Sequence, residues 1–475
     1  MMLLDKLRVW ISKNLAPLIF LSAYFVTVVL GNILYALPYG REQLEKNRYT
    51  ADILQFETLF SPGYWLLLLL PFIVTPVVIV CVRKFAGQYL ERWSRVFPEF
   101  TKSEYLFIIT ASYLFVLYAM FKADAFSLFL AGTDPVASVE ARFKIRNQLG
   151  FIPLVVLMSL LHYLSIYSLV RWIMASSRFW VVATIANAIL MSVFLVLLNM
   201  KWPILIFYAG LVLAVFVYSK RYPYLKAVVG GVLLITMYFM ISAFVFRLIP
   251  AAQAPDENIP QITEITQGPI TSATPQVQLE SPKVSEGVKG ATGVGAIDKT
   301  LSVGQAAASN APMLLFNVVN RMAIIYPYYY QVFTTEGQVC GGIIAQARIG
   351  PACRPSTFIY SRIFNDSFNG RGTAPAAVQI SGYALGGWPI AIFALLCASV
   401  VLGLFASLPL NAGAVVGSLA VTGAIVGYHF SQIPGEGPIF YDHGVFWVVL
   451  GLVVFKGWRT LGRRFGFGNQ TLDIK

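Results

Sequence analysis

Residues 369–389 read NGRGTAPAAVQISGYALGGWP, and residues 390–405 read IAIFALLCASVVLGLF. The first stretch holds an arginine, an asparagine, hydroxyls and five glycines, whereas the second is suited to lipid. A bilayer core about 30 Å thick is crossed by about 20 apolar residues in a helix. Working outward from 390–405, ten such stretches occur, near 15–37, 64–82, 104–121, 150–170, 180–199, 203–219, 227–249, 387–409, 412–430 and 441–456. Of the 475 residues 57% are hydrophobic and 12% charged, with a mean hydropathy of +0.69. Soluble domains carry about 25% charged residues. Lipid offers a backbone no hydrogen-bond partner, and the alternation of a membrane barrel is absent. The expected fold class is therefore an all-α polytopic membrane protein of about ten transmembrane helices with one large outward loop.

Lysine and arginine near span ends predict the orientation, because short basic loops stay cytoplasmic. Lys6, Arg8 and Lys13 precede the first span, which reads as an uncleaved anchor because its apolar run is long and no small-residue cleavage site follows. Arg83, Lys84, Arg92, Arg95 and Lys102, then Arg171 and Arg178, then Lys220, Arg221 and Lys226, and finally Lys456, Arg459, Arg463 and Arg464 recur at every second loop except Leu408–Gly413. Both termini are expected in the cytoplasm and the large loop in the periplasm of a bacterial inner membrane. Anionic lipid accounts for much of the net charge of +13, at about 1 kcal/mol per basic residue. No nucleic-acid motif interleaves these charges, so nucleic acid is not expected as a partner.

The organisation follows: 1–249 as a bundle of seven spans, 250–386 as the large loop, and 387–475 as three spans with a tail. From Ala251 to Ala311 there is no aromatic residue, which predicts a linker unable to bury enough apolar surface to fold. Residues 313–386 should be partly helical. Leu315, Phe316, Val319, Met322 and Ile325 have helical spacing, predicting a helix across the outer surface that ends near Pro327, followed by tyrosines at the membrane interface. Cys340 and Cys353 share this loop, where a disulfide closing about 14 residues would contribute around 3 kcal/mol.

A second outward loop, 122–150, predicts a helix started by Thr133, Asp134 and Pro135, with Arg142 and Arg146 on one face. Arg142, Lys144, Arg146, Lys201, Arg247, Arg321, Arg348, Arg354, Arg362 and Arg371 crowd the outward side. An anion at headgroup level is their natural partner, since guanidinium forks bind phosphate oxygens in pairs. The glycines of 369–389 let backbone approach a ligand or a neighbouring helix. That stretch reads as the wall of an outward-facing site, tolerated there because it lines protein rather than lipid.

GTAPAAVQISGYALGGWPIAIF, together with RFKIRNQLG opening a span, the cation in NMKWPIL and one large outer loop before the last spans, resembles the O-antigen polymerase and O-antigen ligase superfamily. The chain departs from that pattern at Met200, Lys201 and Trp202 and in the long 251–311 linker. The resemblance implies a metal-independent glycosyltransferase of the membrane-embedded C type, with no cofactor. It would act on undecaprenyl-diphosphate-linked oligosaccharides, with membrane lipid and a chain-length regulator as partners. Diphosphate binding falls to Arg142, Arg146, Arg321 and Arg371, with Lys201, Arg348 and Arg362 as second choices. The base is sought among Asp366, Glu140 and His443, the last beside Glu436 and Asp442, with Asp366 favoured for its closeness to Arg371. His162, inside a span, reads as a partner in an interhelical hydrogen bond, and His429 at a span end stays open. The three histidines lack ligand spacing, and no DxD, HExxH or CxxC motif occurs, so no metal is expected. The alternatives are an O-antigen ligase and, from another class, a transporter. Internal repeats and interrupted helices, which mark transporters, are not expected from the sequence.

Overall fold

The computed structural model describes residues 2–45, 53–95, 97–131, 135–198, 201–244, 323–346, 353–364, 372–432 and 444–464. The chain divides into two units, Met1–Phe246 with Val318–Lys475, and Arg247–Asn317; the latter, which contains the whole of the linker expected at 251–311, lies outside the described residues. Helices dominate the first unit, and no β-strand occurs among the described residues. Among the described residues eight helices are long and apolar enough to cross a membrane: Leu15–Ala36, Pro62–Arg95, Lys102–Lys122, Phe151–Ala175, Arg178–Leu197, Pro223–Ile241, Val378–Ala406 and Ala414–Ser431. The chain is an all-α polytopic membrane protein. The stretch expected at 203–219 forms the shorter apolar helix Trp202–Tyr218. The one expected at 441–456 begins later, as Val445–Arg464, and ends in Lys456, Arg459, Arg463 and Arg464.

The core forms around Ala414–Ser431, of which 94% of the span window is buried. Its sequence, AVVGSLAVTGAIVGYHFS, is rich in glycine and alanine, and small side chains let membrane helices approach closely where no hydrophobic force drives them together. Leu15–Tyr24, His162–Ala175, Lys201–Tyr218 and Val378–Ala406 pack on it. Helix Pro62–Arg95 lies against Val378–Ala406, where Thr75 and Ser399, both fully buried, share a hydrogen bond of 3.0 Å. Two spans carry a π-helical turn, Phe25–Val29 and Val156–Leu161.

One end of this bundle is knotted by charge. Arginines satisfy the carbonyls that helix C-termini leave open, and their cations sit at the negative ends of the helix dipoles. Arg8 donates to the Val217 carbonyl at 2.8 Å, and Arg83 to Lys13 at 2.5 Å and Ala406 at 3.1 Å. Glu99 is the centre of the knot. It accepts from the Tyr167 hydroxyl at 2.9 Å and from the Val415 N–H at 3.2 Å, capping helix Ala414–Ser431, while Arg171 lies 3.9 Å away. Arg459 donates to the Glu99 carbonyl at 3.0 Å and pairs with Glu104 at 3.2 Å. Glu104 in turn closes a capping box with Thr101.

Candidate functional site

The other end is built from neutral groups. The helix expected to end near Pro327 lies outside the described residues up to 322, and a further helix, Ile325–Thr335 (IYPYYYQVFTT), runs through that proline. The chain turns at Ile324, and Pro327 falls in the first turn of the helix that follows, where its missing N–H costs no hydrogen bond. Its tyrosines, expected at a membrane interface, are turned into protein. Tyr326, Tyr328, Tyr329 and Tyr330 are all buried in protein. Carbonyls and hydroxyls of neighbouring segments take their phenol protons. Tyr326 donates to the Tyr64 carbonyl at 2.6 Å, Tyr329 to the Ala374 carbonyl at 3.0 Å, and Tyr330 shares a 2.8 Å bond with Ser61. Burial pushes the phenols of Tyr326 and Tyr329 well above the ordinary tyrosine range, so both stay protonated donors.

Asn32, fully buried, extends the network. Its amide donates to Val28 at 2.7 Å and to Ala323 at 3.1 Å, and its oxygen accepts from the Tyr64 hydroxyl. Aromatic rings continue outward: Tyr64 meets Tyr330 edge to face at 5.3 Å, Tyr330 stacks on Tyr383 at 5.9 Å, and Tyr383 meets Trp388 at 5.8 Å. Thr334 joins the Tyr383 hydroxyl at 2.9 Å.

The stretch quoted at the outset completes this end. Val378–Leu385 is helical and almost wholly buried, and the helix direction breaks at Gly386 and Gly387 before the span resumes. Gly387 has φ +65° and ψ −154°, a conformation that a side chain makes costly. The chain reverses there. A Cβ on Gly382 would lie 2.7 Å from the Ile390 carbonyl oxygen, whereas eight residues of straight helix span about 12 Å. Gly382 is thus the crossing point of a helical hairpin. Its short arm, Val378–Leu385, folds back against the span and is covered by Ile325–Thr335 and Pro355–Phe364. The absence of interrupted helices expected from the sequence does not hold: one span is interrupted here.

Gln379 lies in the first turn of the short arm, fully buried beside Tyr24, whose own hydroxyl donates to the Leu68 carbonyl at 2.9 Å. The Gln379 amide faces the Tyr24 oxygen as a side-chain hydrogen-bond partner, although short of the geometry of a well-formed bond. Sequence reasoning passed over this residue, although a glutamine in the apolar run AAVQIS was a visible signal. Cys340 and Cys353 are joined as a disulfide, and helix Gly342–Gln346 between them packs against the hairpin.

Of the residues singled out in the sequence, Arg142 and Arg146 lie on helix Pro135–Leu149, both half-buried, with the Arg142 guanidinium 5.0 Å from the Phe143 ring. This helix packs on Lys102–Lys122, Ala125–Ala131 and Phe151–Val155. Glu140 belongs to the same helix and Lys201 opens Lys201–Tyr218, but the side chains of both lie outside the described residues. Arg362 is engaged within the protein, 3.3 Å from Glu336 and stacked over Phe358 at 5.0 Å. Arg247, Arg321, Arg348, Arg371, Asp366, Glu436, Asp442 and His443 lie outside the described residues, as do Thr133 and Asp134. His162 does not form the hydrogen bond expected of Nε2. That atom is buried without a partner against Gly210, beside the Phe207 ring at 5.2 Å. The apolar side chains of Ile166 and Ile425 share its surroundings at Gly210.

Among the described residues no cluster of three or more His, Cys, Asp or Glu could hold a metal ion. No family model, curated protein or solved structure matches this chain. Its functional reading therefore rests on the geometry above and on the chemistry of its sequence.

Proposed function

We propose that this chain polymerises lipid-linked oligosaccharide repeat units at the periplasmic face of a bacterial inner membrane, as an O-antigen-type polymerase. The growing chain's bond from its anomeric carbon to the lipid diphosphate breaks, and that carbon bonds to a hydroxyl at the non-reducing end of the next unit. The hydroxyl proton passes to a base, and the carrier leaves as undecaprenyl diphosphate. Arg142, Arg146, Arg321 and Arg371 stabilise the departing charge, with Lys201, Arg348 and Arg362 behind them, as preorganised cations do for a developing anion. Asp366 is the first choice of base, before Glu140 and His443. A chain-length regulator is the expected protein partner.

One observation carries this reading. The segment resembling the polymerase and ligase superfamily, GTAPAAVQISGYALGGWP, is not a surface loop but a hairpin buried at one end of the bundle. Non-spanning backbone at such depth is tolerated where it is buried in protein or lines a cavity, and the resemblance supports the second use here. The test is a gel of surface polysaccharide from a strain lacking the chain. The ladder should collapse to a single repeat, and Arg142→Ala or Arg146→Ala at matched protein levels should shorten it. Bare core with lipid-bound polymer would instead identify a ligase, and an unaltered ladder would dismiss polymerisation. The interrupted span also suits a transporter. In that case the mutant would accumulate unpolymerised lipid-linked units on the cytoplasmic face.

A further inference from the structure

Helices Lys102–Lys122 and Arg178–Leu197 both start at the basic end, so each opens with a cation at the positive pole of its own dipole. Cations are unfavourable there unless an anion joins them. The first helix is closed by the capping box of Thr101 and Glu104. The second is open. Its N-cap residue, Ser177, makes no side-chain bond, and among the described residues the N–H groups of Arg178 and Phe179 find no acceptor.

Two further cations flank this turn. The Arg171 guanidinium lies over the Trp180 ring at 5.2 Å and the Lys102 ammonium over the Phe179 ring at 5.9 Å, and those two rings meet edge to face at 4.9 Å. Arg171 makes no hydrogen bond among the described residues, and its Nε is buried without a partner. Glu99 stands 3.9 Å off, beyond hydrogen-bond length, and already holds Tyr167 and Val415. Glu104, the other carboxylate nearby, is taken by Thr101 and Arg459. A buried charged donor left without an acceptor is costly. The Arg171 side chain is nevertheless 28% exposed, so an acceptor can reach it from outside the protein. Lys102 and Arg178 are exposed, and neither has an ion pair among the described residues.

Two spans begin at Lys102 and Arg178, which puts these cations where lipid headgroups lie. A phosphate at that level meets a guanidinium fork, an ammonium and open helix N–H donors together. A lipid phosphate is already held at this depth, whereas a free phosphate ion must leave bulk water to reach it.

We infer that Arg171, Lys102 and the first turn of Arg178–Leu197 form a site for the headgroup phosphate of an anionic phospholipid. Basic pockets between spans hold anionic headgroups in this way. The lipid completes the basic end of the bundle, and the site is independent of the polymerase reading.

The full-length protein in detergent is titrated with dioleoylphosphatidylglycerol, dioleoylphosphatidylcholine and inorganic phosphate, with bound lipid counted by native mass spectrometry and stability followed as Tm. One phosphatidylglycerol per chain should bind about tenfold more tightly than phosphatidylcholine and raise the Tm. Inorganic phosphate at the same concentration should do neither. Arg171→Gln should weaken phosphatidylglycerol by about tenfold, the worth of a charged hydrogen bond, and Lys102→Gln by about threefold. Arg171→Lys keeps the charge without the fork and should recover only part of the loss. The control is Arg92→Gln, which removes the same charge from an exposed site in the last turn of Pro62–Arg95 and should leave binding unchanged. If Arg92→Gln loses as much as Arg171→Gln, the attraction is diffuse surface charge and the site is overturned. Equal binding of the two lipids overturns it as well, and equal protection by inorganic phosphate makes the ligand a free anion and rejects the lipid. Should Arg171→Gln not fold, Lys102→Gln set against Arg92→Gln carries the test.

Discussion

The two ends of the bundle are held by opposite chemistry. At the basic end, Arg8, Arg83, Arg171 and Arg459 close helix C-termini or meet Glu99, and one carboxylate ties a loop, a tyrosine and a helix N-terminus together. At the tyrosine end, phenols and amides are buried, and the contacts described are neutral ones between Asn32, Ser61, Tyr64, Tyr326 and Tyr330. Charges can be paired at a bundle's rim, where water reaches them, but a buried ion pair loses about as much to desolvation as it gains. Neutral donors can be buried at lower cost once each has an acceptor, as these have. On the proposed function the charged end is scaffold and the neutral end holds the site.

The sharpest way to break this contrast is at Glu99. Glu99→Ala removes the helix cap and leaves Tyr167 and Arg171 without their acceptor, a loss of about 3 kcal/mol from the usual worth of a cap and a charged hydrogen bond. Thermal unfolding in detergent should show it, with Glu99→Gln losing less because its oxygen still accepts. If the basic end is scaffold, activity per folded molecule should hardly change. Next comes the hairpin. Gly387→Ala forces a side chain into a glycine-only conformation at a cost of about 2 kcal/mol. Hydrogen exchange should then rise in Val378–Leu385 and Ile325–Thr335 while Ala414–Ser431 stays protected. The smallest effect belongs to Tyr330→Phe, which strips Ser61 of its partner for about 1 kcal/mol. Here the outcome that would undo the contrast is full stability with full activity, since the neutral end would then be neither structural nor functional at that position.

The spans were legible because about 20 apolar residues in a row have few other uses. Helix Pro135–Leu149 was legible from its proline start and spacing, and the pairing of Cys340 with Cys353 from their shared loop. The fold-back was not. Val378–Leu385 and the residues after Trp388 are both apolar, so the hairpin reads as one span, and Gly386–Gly387 signals close approach without showing a reversal. The tyrosines were placed at an interface because an isolated tyrosine prefers one. Their acceptors, the carbonyls of Tyr64 and Ala374, are 262 and 45 residues away. Glu99 drew no notice for the same reason: its bonds reach Tyr167, Val415 and Arg459, separated by 68, 316 and 360 residues. Most of the arginines and acids named for catalysis lie outside the described residues, and of the outward cations singled out only Arg142, Lys144, Arg146, Arg354 and Arg362 have described side chains.

The π turn at Phe25–Val29 has a consequence for how the first span tolerates change. Such a turn holds one residue more than the α-helical path would, so everything beyond it is out of phase with what precedes it. Deleting a single residue there would remove the extra one and let the turn relax to α-helix, leaving Asn32 facing Tyr64 and Ala323. Adding one between the turn and Asn32 would instead swing Asn32 by about 100°, away from the acceptor it offers Tyr64 and the donor it offers Ala323. A one-residue gain that hydropathy would score as harmless thus becomes a frame error, read in side-chain azimuth rather than in codons.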